Sequence, residues 1–490
     1  MTYNRGKLIG DPVPLIAHLV PTAGSAIVRV MLNPTVLPRR APARLALLLF
    51  ALVLSTLSVA HAQTYSQIIV FGDSLSDTGN DADVSEDKFG VRVPGFALGG
   101  QINYTDGRFT SGKDTDPAST LHGGIWHEQL AKLFLGLPAA TASLDGGLDF
   151  AYGGATTEDG TRELDFTSQL GITVNNMGQQ INDYLAKNVV DPAALYIVWG
   201  GANDIFVSDR DAAALLKTGK KAARREAALI SRLAEAGAVN FLVPNLPPIG
   251  NTPRYNASAG ATAAYNAASE IFGRKLAGKL TALNADLTAR GINVNIKMLD
   301  VYGIFQRLLA NQQAYNFYNI AQSSQGESVK ADNYLFWDDV HPTASGHYQL
   351  AVEAYTVLTG RPLVQIAPDF TADGFWLTRS GTDLDKKLVV PYAVGGSAVA
   401  GVDYATLAGS RKIQPGNYTR KIKTPAIDGQ NANGKDVVLG IADGGDEFGV
   451  GTVVTARIEY GNPIANVEEP AIRNEFAKRH PLIVPTRNGQ

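Results

Sequence analysis

The sequence predicts an α/β protein, a three-layer α/β/α fold around a parallel sheet, followed by a carboxy-terminal β-sandwich. Two observations carry this prediction. Between residues 65 and 360, short apolar runs alternate with segments of helical periodicity, which favours a parallel sheet with helices on both faces. After Gly360 the helical periodicity ends, and short strand-like runs are separated by Gly, Asp and Pro turns, which is typical of a sandwich.

Strand and helix candidates alternate through the first region. The strand candidates are Ile68–Phe71, Tyr196–Val198, Asn240–Val243 and Val294–Leu299. The helix candidates are Trp126–Leu135, Asn176–Leu185, Asp209–Ala236, Tyr265–Arg290 and Ala344–Leu358. The stretches Gly90–Gly112 and Ala321–Asn333 are expected to be loops near a site. In the second region the strand candidates are Leu388–Tyr392, Val437–Ile441 and Val453–Ile458.

The first strand candidate runs into the turn Gly72-Asp73-Ser74. Ser74 would therefore stand at the carboxyl end of a sheet strand, where open α/β folds place their ligands. A serine after a strand more often caps the following helix. Ser74 alone thus leaves a ligand-binding and a purely structural interpretation open.

A carboxylate and a histidine lie three residues apart in Asp338-Asp339-Val340-His341. A serine hydroxyl is a poor nucleophile until a base accepts its proton, and that imidazole needs an acceptor on its other nitrogen. On one short loop the Asp338 carboxylate can fold back onto the His341 ring, while Thr343 can cap the helix that follows. The spacing favours an acid–histidine pair, with a surface-loop histidine as the alternative.

Two further motifs place hydrogen-bond donors after apolar stretches. Gly153-Gly154 follows one such stretch, and Asn203 follows the strand candidate Tyr196–Val198. An acyl-transfer site needs two or three donors aimed at the developing oxyanion. The Ser74 N–H, the Gly153 N–H and the Asn203 amide would supply them. Ordinary turns are the alternative interpretation of both motifs.

Together, four motifs resemble the GDSL family of the SGNH hydrolase superfamily. They are Phe71–Asp77, Phe150–Ala155, Gly201–Asp204 and Asp338–Thr343. The resemblance implies a flavodoxin-like hydrolase domain at 63–362, with Ser74 as nucleophile, His341 as general base and Asp338 as its orienter. It also implies an oxyanion hole of Ser74, Gly153 and Asn203, where Gly153 is matched as the first glycine of its pair. Asp73 and Asp204 are expected to brace their turns.

The segment 366–462 is similar to a Calx-β domain. The similar stretches are Tyr392–Leu407 and Ile413–Gly416. Calx-β domains that bind calcium use clustered carboxylates, whereas Asp428 is followed here by Gly429 and Gln430. We therefore expect a structural or docking role for this segment, and a tail at 463–490. Because all four motifs precede residue 365, we also expect a chain cut there to hydrolyse a small soluble ester.

The amino terminus is typical of an export signal. Arg39, Arg40 and Arg44 precede the apolar run Leu45–Ala60, and Ala60-His61-Ala62 is a small-x-small cleavage site. The apolar run has about sixteen residues, short of the about twenty that a membrane span needs. We expect a removable segment 1–62, cleavage near Ala62, secretion, and no stable membrane insertion afterwards.

Composition excludes several kinds of site. The chain has no cysteine, which excludes disulfides, zinc-thiolate sites and a cysteine nucleophile. No histidine pair has metal-ligand spacing and no glycine loop carries a phosphate-binding lysine, so we expect neither metal nor cofactor. Residues 1–62 hold six of 43 basic and one of 46 acidic residues, which leaves 37 against 45 and a formal charge of −8. That charge argues against nucleic acid and anionic lipid as partners.

These observations predict a secreted serine hydrolase that cleaves carboxylic esters, a lipase or esterase, through an acyl-enzyme on Ser74. The same site can pass the acyl group to an alcohol, so an acyltransferase is the nearest alternative. An adhesive or scaffold protein with an inert hydrolase fold is the alternative from another class. A lipid, a short-chain ester, a thioester and an acetylated sugar all fit as substrate, and the oligomeric state is left open.

Overall fold

The computed structural model describes residues 65–95, 104–111, 123–167, 170–327 and 329–463. The expected export signal with its cleavage site near Ala62, and residues 464–490 of the expected tail, lie outside them. Among the described residues, no helix has the length and apolar character needed to cross a membrane.

Strands make up the central sheet, two small sheets and the carboxy-terminal region. The strands are β1 Ile68–Gly72, β2 Thr161–Thr167, β3 Leu170–Asn175, β4 Leu195–Trp199, β5 Asn240–Pro244, β6 Asn295–Leu299, β7 Asn319–Ser323, β8 Tyr334–Phe336, β9 Leu363–Pro368, β10 Gly374–Arg379, β11 Leu388–Gly396, β12 Ser410–Ile413, β13 Thr419–Lys423, β14 Asp436–Ile441, β15 Gly449–Val450 and β16 Thr455–Glu459.

Helices lie between the strands of the first region, as predicted. The helices are α1 Asn80–Phe89, α2 Trp126–Gln129, α3 Met177–Lys187, α4 Ala202–Phe206, α5 Ala212–Glu235, α6 Ala259–Ala289, α7 Val301–Ala310, α8 Ala344–Thr359 and α9 Gly429–Ala432. The predicted helix Trp126–Leu135 is α-helical only to Gln129 and continues as a π-helix over Leu130–Leu135.

The central sheet has the strand order β1-β4-β5-β6, and all its neighbouring strands are parallel. Ile68 and Val70 pack into a core that also contains residues of α2, α7 and α8. Ile69 and Phe71 pack into a second core with residues of α3, α5 and α6. The sheet is therefore covered by helices on both faces, which confirms the predicted α/β/α layers and explains why β1 is apolar throughout.

Side-chain caps determine where two of the long helices begin. Thr343 caps α8 by accepting a hydrogen bond from the Gly346 N–H, as predicted. Ser258 caps α6 in the same way. Helix α6 consequently begins at Ala259, earlier than the predicted start at Tyr265, because a capping serine satisfies a backbone donor of the first turn.

The antiparallel hairpin β2–β3 was not predicted. Its core consists of Leu164, Ile172 and Val174, which pack with Tyr152 beside the glycine pair. The buried residues Ile172 and Val174 alternate along β3 with residues of the other face, so the hairpin produces no continuous apolar run in the sequence. The hairpin lies directly against Gly154, since a Cβ added there would meet Leu164 Cδ1 at 2.6 Å.

The carboxy-terminal region contains two four-stranded sheets of order β13-β10-β9-β15 and β12-β11-β14-β16. Their strands are antiparallel except for the pair β15–β9. Side chains from both sheets, among them Phe375 and Leu439, share one core. The predicted strands Leu388–Tyr392, Val437–Ile441 and Val453–Ile458 correspond to β11, β14 and β16.

Helix α8 lies between the central sheet and the carboxy-terminal sheets. Every residue of α8 except Val357 and Thr359 is buried. The Tyr348 hydroxyl accepts a hydrogen bond from the Thr452 N–H at 2.8 Å, and Leu363 of β9 packs into the core beneath α8. The two regions therefore share buried surface along this helix.

Candidate active site

Strand β1 delivers Ser74 to the carboxyl edge of the sheet. The strand ends at Gly72, and the Ser76 N–H donates to the Asp73 carbonyl at 2.9 Å, which closes a tight turn around Ser74. Gly72 has no room for a side chain, because its Cβ would lie 2.6 Å from the Trp199 carbonyl oxygen. Packing against β4 therefore determines where the turn begins.

His341 contacts both the serine and the carboxylate. Its Nε2 lies 2.7 Å from Ser74 Oγ, and its Nδ1 lies 2.6 Å from Asp338 Oδ2. Asp338 Oδ1 accepts the backbone N–H groups of Val340 at 2.8 Å and His341 at 2.7 Å. The structure thus places Ser74, His341 and Asp338 together in the order that the sequence predicted.

The charge of Asp338 is stabilised although the side chain is buried. Burial raises the pKa of a carboxyl, but His341 and the two backbone N–H donors outweigh that effect and hold the pKa of Asp338 below its ordinary value. An ionised Asp338 accepts a hydrogen bond from His341 Nδ1 when that nitrogen carries the proton. The Nε2 lone pair is then free to accept the Ser74 proton.

Two aromatic residues at the site were missed by the sequence analysis. The Tyr104 hydroxyl donates to Asp338 Oδ2 at 2.8 Å. The Phe109 ring centroid lies 5.1 Å from that of His341, with the rings tilted by 33°. Both come from a stretch expected to be a loop near the site. Tyr104 and Asp338 are 234 residues apart, so no local spacing could reveal their contact.

Asn203 lies in the first turn of α4 and lines the same cavity as Ser74 and His341. Its Nδ2 donates to the Ala155 carbonyl at 3.0 Å. An amide Nδ2 has two hydrogens, so the second remains available for a reacting oxygen. The part of Asn203 as an oxyanion donor stays a prediction.

At the glycine pair, the structure differs from the prediction that the Gly153 N–H faces the site. The Gly153 N–H donates to Asp77 Oδ2 at 3.1 Å, on the buried side of the turn. Gly154 is the glycine that lines the cavity with Ser74 and Asn203, and it has a positive φ of 72°. Within the described chain, neither the Ser74 N–H nor the Gly154 N–H donates to another residue. The arrangement therefore favours Gly154, in place of Gly153, as the donor beside Ser74.

The cavity at Ser74 has a volume of about 640 Å³. Aromatic side chains of Phe206, Tyr255 and Tyr265 form part of its wall, and the Tyr255 and Tyr265 rings stack with centroids 3.8 Å apart. Small residues at the start of α6, including Ala261 and Ala264, form another part. This space is large and apolar enough to hold the acyl or the alcohol part of an ester.

An ion pair adjoins the acid–histidine loop. Arg254 Nε lies 2.7 Å from Asp339 Oδ2, and Arg254 Nη2 lies 3.1 Å from Asp339 Oδ1. Arg254 also lines the cavity. The sequence does not predict this pair, because the two residues are 85 positions apart and neither belongs to the predicted triad.

Buried carboxylates brace the turns behind the site. Burial raises the pKa of Asp73 to about 7 and that of Asp77 to about 6. Asp73 accepts the Leu75 N–H at 3.1 Å and Asp204 accepts the Thr157 N–H at 2.9 Å, as expected for residues that brace turns. In the part of the chain that the structure describes, no three or more His, Asp or Glu side chains are arranged to hold a metal ion.

Comparisons with known proteins place this site in a family. A family model described as GDSL-like Lipase/Acylhydrolase matches residues 68–354. A phosphatidylcholine-sterol acyltransferase of Aeromonas hydrophila is 26% identical over 326 residues, which cover 64% of this chain and 82% of that protein. Lipase 1 of Photorhabdus luminescens is 25% identical over 379 residues, which cover 63% of this chain and 52% of that protein.

The chain spans about half the length of Lipase 1 and of a Pseudomonas putida protein that it also matches. Among solved structures, CBD12 from CALX1.2 matches 17% of this chain and 36% of its own, at 16% identity and a TM-score of 0.15. A likeness this small carries no argument for the expected Calx-β domain.

The family model covers more than half of the chain, and its matched range contains all five predicted site residues. The matched relatives include a lipase and an acyltransferase. The chain therefore belongs to the GDSL-like lipase/acylhydrolase family.

Proposed function

We propose that this protein is a secreted serine hydrolase that cleaves carboxylic esters through an acyl-enzyme on Ser74. The observation that carries the proposal is the continuous contact from Ser74 Oγ through His341 to Asp338, with distances of 2.7 Å and 2.6 Å. These are the lengths of strong hydrogen bonds, and they join a nucleophile, a base and an orienting carboxylate.

In the proposed reaction Ser74 Oγ attacks the ester carbonyl, and its proton passes to His341 Nε2. Asp338 stabilises the imidazolium that forms. The oxyanion is held by the N–H groups of Ser74 and Gly154 and by the Asn203 amide. The imidazolium then returns the proton to the departing alcohol. Water enters, loses a proton to His341, and releases the acid by the same sequence.

Acyl transfer is the second candidate. The Aeromonas hydrophila relative is named a phosphatidylcholine-sterol acyltransferase, and an acyl-enzyme can react with an alcohol in place of water. Product analysis with a soluble ester plus an added long-chain alcohol separates the two. Free acid as the main product supports hydrolysis, whereas a new ester as the main product supports transfer.

The inert alternative predicts no covalent chemistry at Ser74. A fluorophosphonate probe reacts only with an activated serine, so the proposal predicts one adduct, on the peptide that contains Ser74. Ser74→Ala should abolish the adduct, while the matched control Ser76→Ala, which alters a neighbouring buried serine, should keep it. A folded protein that takes up no probe would remove the case for catalysis.

Export and the division into domains belong to the same proposal. The small-x-small motif that ends at Ala62 supports removal of residues 1–62. The change from parallel to antiparallel sheets after α8 supports a hydrolase domain at 63–362 and a Calx-β-like sandwich at 366–462 with a structural or docking role. Amino-terminal sequencing of the exported protein tests the cleavage site.

A further inference from the structure

Three contacts join Arg254 to Asp339. The guanidinium makes two hydrogen bonds to the carboxylate, at 2.7 Å and 3.1 Å. The Arg254 backbone N–H also donates to the Asp339 carbonyl at 2.9 Å. Since Asp339 directly follows Asp338 in the chain, these contacts tie the segment after β5 to the loop that carries Asp338 and His341.

The pair is built more firmly than an ordinary surface ion pair. The side chains of Arg254 and Asp339 are only 20% and 30% exposed. The Arg254 Cζ also lies 5.4 Å from the centroid of the Phe206 ring, in cation–π contact. A planar guanidinium that is held by a two-pronged carboxylate and an aromatic face has little freedom to rotate.

We propose that the Arg254–Asp339 pair positions the loop from Asp338 to His341 and balances the charge beside His341, so that the bond between His341 and Ser74 can form. This inference rests on the proposed triad. Arg254 and Asp339 act through His341 and Asp338 and do not touch the reacting bond, so they are positioning residues. Nothing in the motifs of the family resemblance assigns them this role.

Several charged or titratable groups face His341 from the elements packed around it. Its own loop contributes Asp338 and Asp339, the turn after β1 contributes Asp73, and α8 contributes His347. Arg254 acts on both loop carboxylates from the segment after β5. Arg254 and Asp339 therefore cancel each other, and the loss of one partner leaves the charge of the other uncompensated.

That cancellation produces two opposite predictions. The profile of kcat/KM falls on its acidic side because His341 must be neutral to accept a proton. Burial raises the pKa of Asp339, and Arg254 is the cation that opposes this rise. Above its pKa, the Asp339 carboxylate of Arg254→Met is an uncompensated negative charge, which favours the protonated ring and moves the acidic limb to higher pH. Asp339→Asn leaves Arg254 as an extra positive charge and moves the limb to lower pH. Each displacement should be about half a unit to one pH unit, the scale of one nearby charge partly screened by water.

The double variant Arg254→Met/Asp339→Asn removes both charges together. Its acidic limb should return close to the wild-type pH, while kcat stays about tenfold lower because the tether to the loop is lost. Arg254→Lys retains the charge without the two-pronged contact. It should keep the wild-type limb and recover part of kcat, which a merely space-filling role would not produce.

Arg307 provides a matched control. It also pairs with a carboxylate at 2.7 Å, that of Glu353, and also lies over an aromatic ring, that of Tyr418 at 4.6 Å. Arg307→Met should therefore lower the melting temperature as Arg254→Met does, and leave the pH profile in place. All profiles are measured on the full chain with a soluble p-nitrophenyl ester.

The proposal would be overturned if Arg254→Met and Asp339→Asn lower stability and both leave the acidic limb in place, or if both move it in the same direction. The pair would then have a structural role only. If Arg254→Met fails to fold, Asp339→Asn and Arg254→Lys still decide between these outcomes. A failure of the proposed function gives a different result. Ser74→Ala would then keep full activity, whatever the pH profiles of the Arg254 and Asp339 variants.

Discussion

At the residue scale, the proposed catalysis depends on a proton that moves between Ser74 Oγ and His341 Nε2, which lie 2.7 Å apart. Ser74→Ala removes the proposed nucleophile and should leave the fold intact, because among the described residues the Ser74 hydroxyl bonds only to His341. We expect kcat for a soluble ester to fall by about a millionfold, as for other triad nucleophiles. Steady-state kinetics measure this effect, with an unchanged melting temperature as the control. Wild-type turnover by the variant would rule out this site.

Asn203 should act mainly on the transition state. Its amide can reach charge that develops on the carbonyl oxygen, which is small in the bound ester. Asn203→Ala should lower kcat by about 10²–10³-fold with a smaller effect on KM. The two constants are measured on the same ester as above. A change confined to KM would make Asn203 a substrate-binding residue and remove it from the oxyanion hole.

Asp73 should make stability depend on pH. Burial raises its pKa from 3.8 to about 7, so between those values the folded protein holds a proton that the unfolded chain has lost. Stability from this group therefore falls as the pH rises through that window. Asp73→Asn, which can still accept the Leu75 N–H, should be more stable than the wild type at pH 8 by on the order of 2 kcal/mol.

The difference should shrink toward pH 4, where both proteins carry a neutral side chain. Urea unfolding at a series of pH values measures it. Asp300→Asn serves as a control, because Asp300 caps the start of α7 away from the buried turn, and it should not show the same rise in relative stability with pH. A constant difference between Asp73→Asn and the wild type across the series would contradict the assignment.

At the scale of elements, the β2–β3 hairpin supports the Gly153-Gly154 turn, which carries a proposed oxyanion donor. Arg162 of β2 donates from Nη1 to the Gly154 carbonyl at 2.9 Å, and Leu164 packs against the same glycine. Arg162→Met should therefore make the position of the Gly154 N–H less well fixed and lower kcat by about tenfold. This loss is smaller than the one expected when an oxyanion donor is removed altogether. KM should change less, because Arg162 does not line the cavity.

Glu163 offers a control on the same strand. Its side chain bonds to Thr173 across the hairpin, away from the glycine pair. Glu163→Gln should leave kcat within about twofold, the range expected for an exposed polar change. Equal losses in both variants would mean that the hairpin contributes only general stability.

The elements themselves were predictable to different degrees. Strands β1 and β4 are buried at every position, so each produces an apolar run that can be recognised in the sequence. In the hairpin, the buried side chains that the structure describes alternate with more exposed ones, so no continuous apolar run predicts it. Helix α6 begins at Ala259 because Ser258 caps it. The apolar pattern begins only at Tyr265, so it predicts too late a start.

At the scale of the whole molecule, the carboxy-terminal sheets complete the burial of α8. The Tyr348–Thr452 bond and the packing of Leu363 both lie on this boundary. This changes the expectation that a chain cut near residue 365 keeps its activity. A protein of residues 63–360 should melt at a lower temperature than one of residues 63–463 and lose ester hydrolysis with its fold, because it exposes apolar surface of α8.

Thermal melts and ester kinetics on the two proteins test this expectation. A surface variant such as Lys412→Gln, an exposed residue of β12, should leave both measurements unchanged. Full activity with an unchanged melting temperature in the shorter protein would show that the hydrolase region needs no cover from the second set of sheets.

The sequence by itself predicted the classes of structure and, through the family resemblance, the residues of the proposed triad. A strand that is buried on both faces of the sheet produces an apolar run, which can be recognised without coordinates. The Asp338–His341 contact spans only three residues, so the sequence can suggest it too. The meeting of His341 with Ser74, 267 residues away, could be inferred only from the family resemblance.

Only the tertiary structure decided which glycine faces the cavity, which aromatic groups surround His341, and that Arg254 holds Asp339. A positive φ at Gly154 lets the N–H of one glycine face the buried Asp77 while the next glycine lines the cavity, and sequence order does not encode that direction. Tyr104 and Arg254 reach the loop from distant segments. Their contacts exist because the folded sheet brings those segments to one edge, and no pattern along the chain records that proximity.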